Sequence, residues 1–388
     1  MVKTGLERIL TEKINLIQGK RVGVLCHPAS INRDYQHIVH LFHQAKHINL
    51  TTIFSPQHGF LGEKQDNMIE SSHIEEPITK VPIYSLYSET RTPTIEMLKN
   101  IDTLVIDLQD VGTRVYTFIY TMANCMKACR EQNIEVIVLD RPNPINGFNV
   151  EGNLLNPSFQ SFVGLYPIPI RHGMTIGELA HLFNHEYHIG CQLSVVEMNN
   201  YQREMWFDET LLPWVYPSPN MPTLDTATLY PGMVLFEGTI VSEGRGTTKP
   251  FELIGAPYIN PYKLKEELDT FKLPGLLFRP IYFEPTFHKH SGNPCGGVQI
   301  HVTHRKSFKP YLTGITLLGV IKSLYPNNFE WKQPPYEYEY IKLPIDLLIG
   351  NQEIRKKLDS KKELYYIESS WENELKEFLA VRKNYLIY

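Results

Sequence analysis

Apolar and polar positions along the chain are arranged in blocks that predict an α/β fold. Four short, β-branched apolar runs have the length and composition of buried parallel strands: 21–26, 49–54, 103–107 and 135–140. Segments with apolar residues at helical spacing accompany them, at 4–16, 35–46, 94–100 and 116–132. This alternation predicts a Rossmann-like parallel sheet with right-handed crossovers.

The pattern changes near residue 200, where an aromatic and proline-rich stretch begins. Before it we predict strands at 81–85 and 193–196 and a helix at 175–187. After it we predict helices at 224–232, 260–270 and 309–324, strands at 276–283 and 297–303, and a charged tail with helical spacing from 350. We therefore expect two domains, a Rossmann-like one over 1–200 and a smaller α/β one over 201–388 that closes a cleft.

Composition narrows the classes of function. The 388 residues are 42% hydrophobic and 21% charged, with a net charge of −4, which argues against a nucleic-acid partner. No apolar run approaches the roughly 18 residues of a membrane span, and the N-terminal stretch lacks the apolar core of a signal peptide. Five scattered cysteines indicate a reducing compartment. We expect a cytoplasmic protein without metal or other cofactor, and an oligomer is not indicated.

Three of the predicted strands end in polar loops that share one edge of a parallel sheet. The loop after 49–54 is Gln57-His58-Gly59, in which His58 can exchange a proton near neutral pH and Gly59 permits a positive φ. The other two loops contain Asp107, Gln109, Asp110 and Arg114, and Asp140, Arg141 and Asn143. Ligands bind at this edge of open α/β sheets, so the sequence predicts a site there.

The turn from Glu243 to Thr248 is the most specific local motif. Two glycines flank Arg245, so the backbone can form a concave nest of N–H groups beside a planar guanidinium. Lys249 stands where a dinucleotide fingerprint has its third glycine, which disfavours nucleotide binding. Carboxylates also stand beside glycines at Glu63, Glu151, Glu237 and Glu243, and each can serve in acid–base chemistry or simply cap a helix.

A zinc site is disfavoured. His181 and His185 share a helix face, but Leu182 replaces the glutamate of the metalloprotease pattern. His290 is a modest candidate for a binding residue near the loops of the second domain.

Longer motifs resemble a known family, the bacterial exo-β-N-acetylmuramidases, formerly a domain of unknown function. The resemblance runs from about residue 5 to the C-terminus and rests on these stretches: Ser55-Pro-Gln-His-Gly59 with Gly62-Glu63, Val81 to Tyr87, Pro93 to Leu98, Asp107 to Arg114, Leu139 to Pro144, Phe162 to Pro169, His172 to Leu179, Pro217 to Pro222, and Ser242 to Glu252.

The resemblance implies a Rossmann-like domain, a smaller α/β domain and an active cleft between them. It also implies release of N-acetylmuramic acid from the non-reducing end of peptidoglycan fragments, without a cofactor. Glycosidases of most families use two carboxyl groups, about 5–5.5 Å apart for retention and about 6.5–9.5 Å for inversion. The lactyl carboxylate of the sugar suits a bidentate arginine, and Arg245, Arg114 and Arg141 are the candidates. Many members are exported, so a cytoplasmic chain would act on internalised or recycled fragments.

At one position the chain departs from the family pattern. Members of assigned activity have Pro-Glu-His-Gly at the first loop, and the glutamate is the family's proposed catalytic residue, whereas this chain has Gln57. An amide cannot act as a nucleophile or base, although it can orient water or bind an N-acetyl group. Three explanations stay open: another carboxylate acts, the glycoside differs, or the chain binds an amino sugar or muropeptide without hydrolysing it.

The first hypothesis is a glycoside hydrolase in which Glu243 and a strand-end aspartate share the acid–base work. The predicted catalytic residues are His58, Glu63, Asp107, Asp110 and Glu243. The predicted substrate-binding residues are Gln57, Gly59, Gln109, Arg114, Asp140, Arg141, Asn143, Glu151, Asn220, Arg245, Thr248 and His290.

Overall fold

A computed structural model describes residues 1–66, 68–358 and 360–388. Its strands are β1 (Arg21–Cys26), β2 (Asn49–Ser55), β3 (Ile74–Glu75), β4 (Pro82–Ser85), β5 (Thr103–Asp107), β6 (Glu135–Leu139), β7 (Glu151–Leu154), β8 (Pro169–Arg171), β9 (Leu193–Val196), β10 (Leu253–Ala256), β11 (Leu276–Phe283) and β12 (Cys295–Val302). Its α-helices are α1 (Gly5–Ile9), α2 (Ile38–Gln44), α3 (Ile95–Leu98), α4 (Phe118–Glu131), α5 (Ile176–His185), α6 (Leu224–Met233), α7 (Pro261–Asp269), α8 (Pro310–Leu324), α9 (Pro344–Ile349), α10 (Glu353–Lys357), α11 (Lys361–Tyr366) and α12 (Glu372–Arg382).

A seven-stranded sheet organises the N-terminal half. Its strand order is β3-β4-β2-β1-β5-β6-β9, and every neighbouring pair is parallel except β3 with β4. The carboxyl ends of β2, β5 and β6 therefore lie on one edge, as the strand pattern predicts. The α/β class is confirmed.

Both faces of this sheet are covered. Alternate residues of the central strands pack into two different cores, one on each face. Leu104 and Ile106 of β5 pack in one core with α4 and α5, whereas Val105 packs in the other with α1 and α2. Burial on both faces explains why the strands are continuous apolar runs rather than alternating ones.

The C-terminal half is built on a three-stranded antiparallel sheet in the order β10-β12-β11. Helices α6 and α8 pack against each other at Gly232 and Gly314. A Cβ atom on Gly232 would lie 1.9 Å from the carbonyl oxygen of Pro310, so the two backbones can approach this closely only without a side chain there. This contact fixes the C-terminal end of α6, from which the chain continues directly into Glu237.

Several elements differ from the sequence prediction. The helix predicted at 4–16 ends at Ile9, because the amides of Thr11, Glu12 and Lys13 all converge on the carbonyl oxygen of Arg8 and close a turn. The short strands β3, β7, β8 and β10 were not predicted, since their sequences lack long β-branched runs. Among the described residues, no helix combines the length and apolar character needed to cross a membrane.

Candidate active site

A partly open cavity lies where the carboxyl edge of the large sheet meets the C-terminal half. The loop after β2 and the residues that lead into α4 form one side, and segments that follow α5 in the chain form much of the rest. The cavity is lined by Gln57, His58, Val115, Tyr116, Thr117, Phe118, Val163, Ser218, Asn220, Met221, Tyr230, Glu237, Arg245, Phe251, Tyr336 and Glu337.

Gln57 is buried just after the end of β2. Both the oxygen and the nitrogen of its side-chain amide form hydrogen bonds. The Thr117 hydroxyl donates to the Gln57 carbonyl oxygen at 2.7 Å. The Gln57 Nε2 in turn donates to Oε1 of Glu337 at 3.1 Å. Thr117 thus fixes the orientation of the amide, so that its NH₂ group points at a carboxyl group.

Glu337 is the first residue that sequence reasoning missed. Its Oε2 accepts a hydrogen bond from the Tyr87 hydroxyl at 2.7 Å, and the side chain is buried. Burial raises the pKa of Glu337, and the nearby charge of Glu237 adds to the rise, whereas the hydrogen bonds from Tyr87 and Gln57 oppose it. Glu337 lies 280 residues from Gln57, in a Tyr-Glu alternation that reads as an ordinary polar loop.

Glu237 is the second carboxylate of the cavity, on a 3-10 turn that follows α6. The Arg245 Nη2 donates to its Oε1 at 2.6 Å, and the Tyr336 hydroxyl donates to its Oε2 at 2.5 Å. These two donors fix the position of the Glu237 carboxylate. In the sequence Glu237 stands beside a glycine, but no local pattern indicates that its carboxylate meets Arg245.

Arg245 forms ion pairs with carboxylates of its own chain. Besides Glu237, its guanidinium lies 3.5 Å from Glu243 and 3.4 Å from Asp66. Its predicted task, to grip a lactyl carboxylate, therefore competes with three acidic neighbours. The geometry fits a different role, in which Arg245 positions Glu237.

Glu243 lies behind Arg245 and is not among the residues that line the cavity. The Lys289 Nζ donates to its Oε2 at 2.7 Å, and His288 Nδ1 lies 3.4 Å from its Oε1. Burial alone would raise its pKa, but Lys289, Arg245 and His288 together lower the pKa of Glu243 to about 2. A carboxylate held in this way stays charged and is poorly suited to donate a proton.

His58 lines the cavity with its ring. Its Nδ1 lies 2.6 Å from the carbonyl oxygen of Lys64, and burial lowers the pKa of His58 to about 4. The imidazole is therefore neutral at pH 7, with Nδ1–H donating to the carbonyl and Nε2 left as an acceptor.

The other two strand-end loops use their polar residues internally. Arg141 and Asp107 form a buried bidentate pair at 2.6 and 2.8 Å. Asp140 accepts from Thr175 and from the Gly177 amide, so it caps the start of α5, and burial raises the pKa of Asp140 to about 7.

Further predicted residues are held by backbone groups away from the cavity. Arg114 donates to four carbonyl oxygens, Gln109 to those of Asp110 and Pro142, and Asn143 to that of Met174. Asp110 accepts from the Gly112 amide and His172, Glu151 accepts from the Leu312 amide, and His290 bonds the carbonyl of Ile240. Gly59 and Glu63 line a separate groove, and Thr248 is exposed.

The structure thus brings a subset of the predicted residues together. His58, Gln57, Asn220 and Arg245 line the cavity, and Asn220 donates to the carbonyl of Gln65 at its rim. The remaining predicted residues stabilise the sheet edge or lie elsewhere. No group of three or more His, Cys, Asp or Glu side chains in the described part of the chain has the arrangement of a metal site.

Comparisons with known proteins give the family. The sequence-family model for the N-terminal part of the exo-β-N-acetylmuramidase NamZ matches residues 22–225. The family model for its C-terminal part matches residues 228–388. The predicted domain boundary near 200 stays a prediction beside these limits.

Relatives cover the whole chain. The peptidoglycan β-N-acetylmuramidase NamZ of Bacillus subtilis (strain 168) is 48% identical over 387 residues, which are 100% of this chain and 91% of that protein. A crystal structure of a DUF1343 family protein from Bacteroides fragilis NCTC 9343 has a TM-score of 0.90 at 32% identity, covering 100% of this chain and 99% of its own. A second such protein from the same organism has a TM-score of 0.77 at 29% identity with the same coverage. The chain therefore belongs to the exo-β-N-acetylmuramidase NamZ family.

Proposed function

We propose that this protein is a glycoside hydrolase that releases N-acetylmuramic acid from the non-reducing end of peptidoglycan fragments. The observation that carries the proposal is the cavity in which Arg245 and Tyr336 hold the Glu237 carboxylate. A carboxylate fixed in position is what a glycosidase needs as nucleophile or base at the anomeric carbon. Family membership over the full chain supplies the substrate class.

The walls of the cavity suit an amino sugar. Aromatic and apolar side chains, among them Tyr116, Phe118 and Phe251, offer surfaces for the faces of a pyranose ring. Polar groups stand between them, including the Nε2 acceptor of His58 and the side chains of Ser218 and Asn220. We assign these groups to the hydroxyl, N-acetyl and lactyl substituents.

The sequence suggested that an arginine binds the lactyl carboxylate, but all three candidate arginines already bind other groups of the chain. Arg114 is occupied by four carbonyl oxygens, Arg141 by Asp107, and Arg245 by Glu237. We therefore assign binding of the lactyl carboxylate to neutral hydrogen-bond donors of the cavity wall.

Non-catalytic sugar binding, the alternative suggested by Gln57, is not favoured. The cavity still contains two glutamates, Glu237 and Glu337, in different electrostatic environments, as acid–base catalysis requires. The match of residues 22–225 and 228–388 to the two family models of an exo-β-N-acetylmuramidase points the same way.

Turnover of the disaccharide N-acetylmuramyl-N-acetylglucosamine tests the proposal. We expect the purified protein to release both sugars, and Glu237→Gln to lower kcat by roughly 10²–10⁴-fold. Glu330→Gln is a matched control, since Glu330 is exposed and outside the cavity. Tight binding by calorimetry without any product would instead establish the sugar-binding alternative.

We further propose that the protein works in the cytoplasm on recycled fragments. The support is that all five cysteines are free and buried, which suits a reducing compartment. Fractionation of the native cells would test the location.

A further inference from the structure

We propose that Glu337 is the acid that protonates the leaving glycosidic oxygen, and that Gln57 is the positioning residue that aims it. The inference rests on the proposed glycosidase function and adds the identity of the proton donor. It also explains how the chain can carry an amide at the position of the family's proposed catalytic glutamate.

The position of Glu337 is the first argument. Its carboxyl group lines the same cavity as Glu237, and it lies within hydrogen-bond distance of the side chain at position 57. A carboxyl group is thus present beside the family's catalytic position, although it comes from the other half of the chain.

The backbone around Glu337 is the second argument. Glu337 and Tyr338 have φ values of 45° and 66°, in the left-handed region that residues with a side chain rarely adopt. Such conformations persist where surrounding contacts determine them, and they concentrate at functional sites. Here the neighbouring Tyr336 binds Glu237 while Glu337 binds Gln57 and Tyr87. One short segment therefore sets the positions of both carboxyl groups.

The surroundings of Glu337 raise its pKa above the ordinary value. Burial and the negative charge of Glu237 raise the pKa of Glu337, and the donors Tyr87 and Gln57 limit the rise. The charge of Arg91 also opposes it. Its guanidinium stacks 4.2 Å from the centre of the Tyr87 ring rather than contacting the carboxyl group directly. Glu237, by contrast, has Arg245 at 2.6 Å. Two carboxyl groups whose environments differ in this way divide into acid and base.

The chemical step balances with these groups. As the bond from the anomeric carbon to the glycosidic oxygen breaks, its electron pair goes to that oxygen, and the Glu337 proton moves there. The Glu237 carboxylate stabilises the anomeric carbon as nucleophile or as the base for water. The water that is consumed adds its hydroxyl to the anomeric carbon. Where Glu237 is the nucleophile, the remaining proton of that water goes to Glu337. Where Glu237 is the base, the proton goes to Glu237, and proton exchange with solvent returns Glu237 to the carboxylate and Glu337 to the acid.

Dependence on the leaving group tests this assignment. A nitrophenolate leaves without a proton, whereas the N-acetylglucosamine alcohol needs one. We expect Glu337→Gln to lower kcat/KM by roughly 10²–10⁴-fold for N-acetylmuramyl-N-acetylglucosamine, and by only about tenfold or less for 4-nitrophenyl β-N-acetylmuramide. The upper-pH limb of the disaccharide profile should disappear in this variant. Glu330→Gln serves as the control and should match the unaltered protein with both substrates.

A second variant covers the case that Glu337→Gln does not fold. Tyr87→Phe removes one donor to the Glu337 carboxylate, so the upper-pH limb of kcat/KM should move to higher pH. Equal losses on both substrates in Glu337→Gln, full disaccharide activity in that variant, or an unmoved limb in Tyr87→Phe would each overturn the assignment. Failure of the unaltered protein to cleave either substrate would instead overturn the proposed function.

Discussion

Substitution of Gln57 by glutamate replaces the amide nitrogen that donates a hydrogen bond to Glu337. The Thr117 hydroxyl can still donate to one oxygen of the new side chain, so the other oxygen takes the place of the amide nitrogen. It then lies about 3.1 Å from Oε1 of Glu337. A donor that stabilises the Glu337 anion is replaced by a second acidic oxygen.

The size of the effect follows from this distance. Two unit charges 3.1 Å apart repel by about 5 kcal/mol at an effective dielectric constant of about 20. Two carboxylates therefore will not both ionise near neutral pH, and the pair will share one proton and titrate as a unit. Even a quarter of that energy would move a titration by about 1 pH unit.

The assay is the pH dependence of kcat/KM on N-acetylmuramyl-N-acetylglucosamine. We expect the upper-pH limb of Gln57→Glu to lie at least about 1 pH unit above that of the unaltered protein. The reason is that the proton needed for catalysis is held more tightly. An unchanged upper limb would refute the reasoning, because it would mean that Glu337 is not the group whose proton the reaction uses. Gln57→Ala provides the comparison, since it removes the donor without adding a charge.

Three further substitutions test other parts of the structure. Arg245→Lys should lower kcat by roughly 100-fold with little change in KM, because a lysine cannot hold Glu237 as a planar fork does; unaltered kcat would contradict this positioning role. Burial raises the pKa of Glu151 from its ordinary 4.5 to about 7, so stability present below pH 4.5 is lost as pH rises through 7. Glu151→Gln should remove up to about 3 kcal/mol of this pH dependence in urea unfolding at pH 5 and pH 8, and an equal slope in both proteins would refute it. Asp107→Asn leaves Arg141 buried without its counter-charge and should lower the free energy of unfolding by roughly 3–5 kcal/mol, whereas a loss under about 1 kcal/mol would show that the pair is dispensable.

The large sheet was predictable because its strands are buried on both faces. Residues 103–106 and 136–139 are continuous β-branched or apolar runs, and this composition leaves few alternatives to a central parallel strand. The strands β7 and β8 escaped prediction because they are short, and their pairing joins residues that are about 20 positions apart. The early end of α1 was not predicted either. Three backbone amides donate to one carbonyl oxygen there, and the spacing of hydrophobic residues does not indicate such a turn.

For the site, the sequence indicated an edge of the sheet that lines the cavity, but it did not indicate which side chains of that edge contact one another. The loop at Gln57 and His58 enters the cavity, as strand topology predicts. Asp107 and Arg141, however, neutralise each other across neighbouring strands. Polar residues at strand ends thus identify the sheet edge, but they do not tell whether each one faces a ligand or another residue of that edge.

The glutamates of the cavity could not be selected from the sequence. Glu237 follows α6 and Glu337 lies about 100 residues further along, and both meet the Gln57 loop only through packing of the two halves. Local patterns contain no record of such long-range contacts. The Tyr-Glu-Tyr alternation at 336–338 was the one available signal, and it gains meaning only when Tyr87 and Gln57 are placed beside it.

The central claim is that catalysis proceeds in this chain with glutamine at position 57. The most direct measurement is chromatographic quantification of the sugars that the unaltered protein releases from N-acetylmuramyl-N-acetylglucosamine. We predict N-acetylmuramic acid and N-acetylglucosamine in equal amounts over many turnovers. No release by the unaltered protein, together with release by Gln57→Glu, would contradict the claim and show that Glu337 does not replace the family's carboxylate.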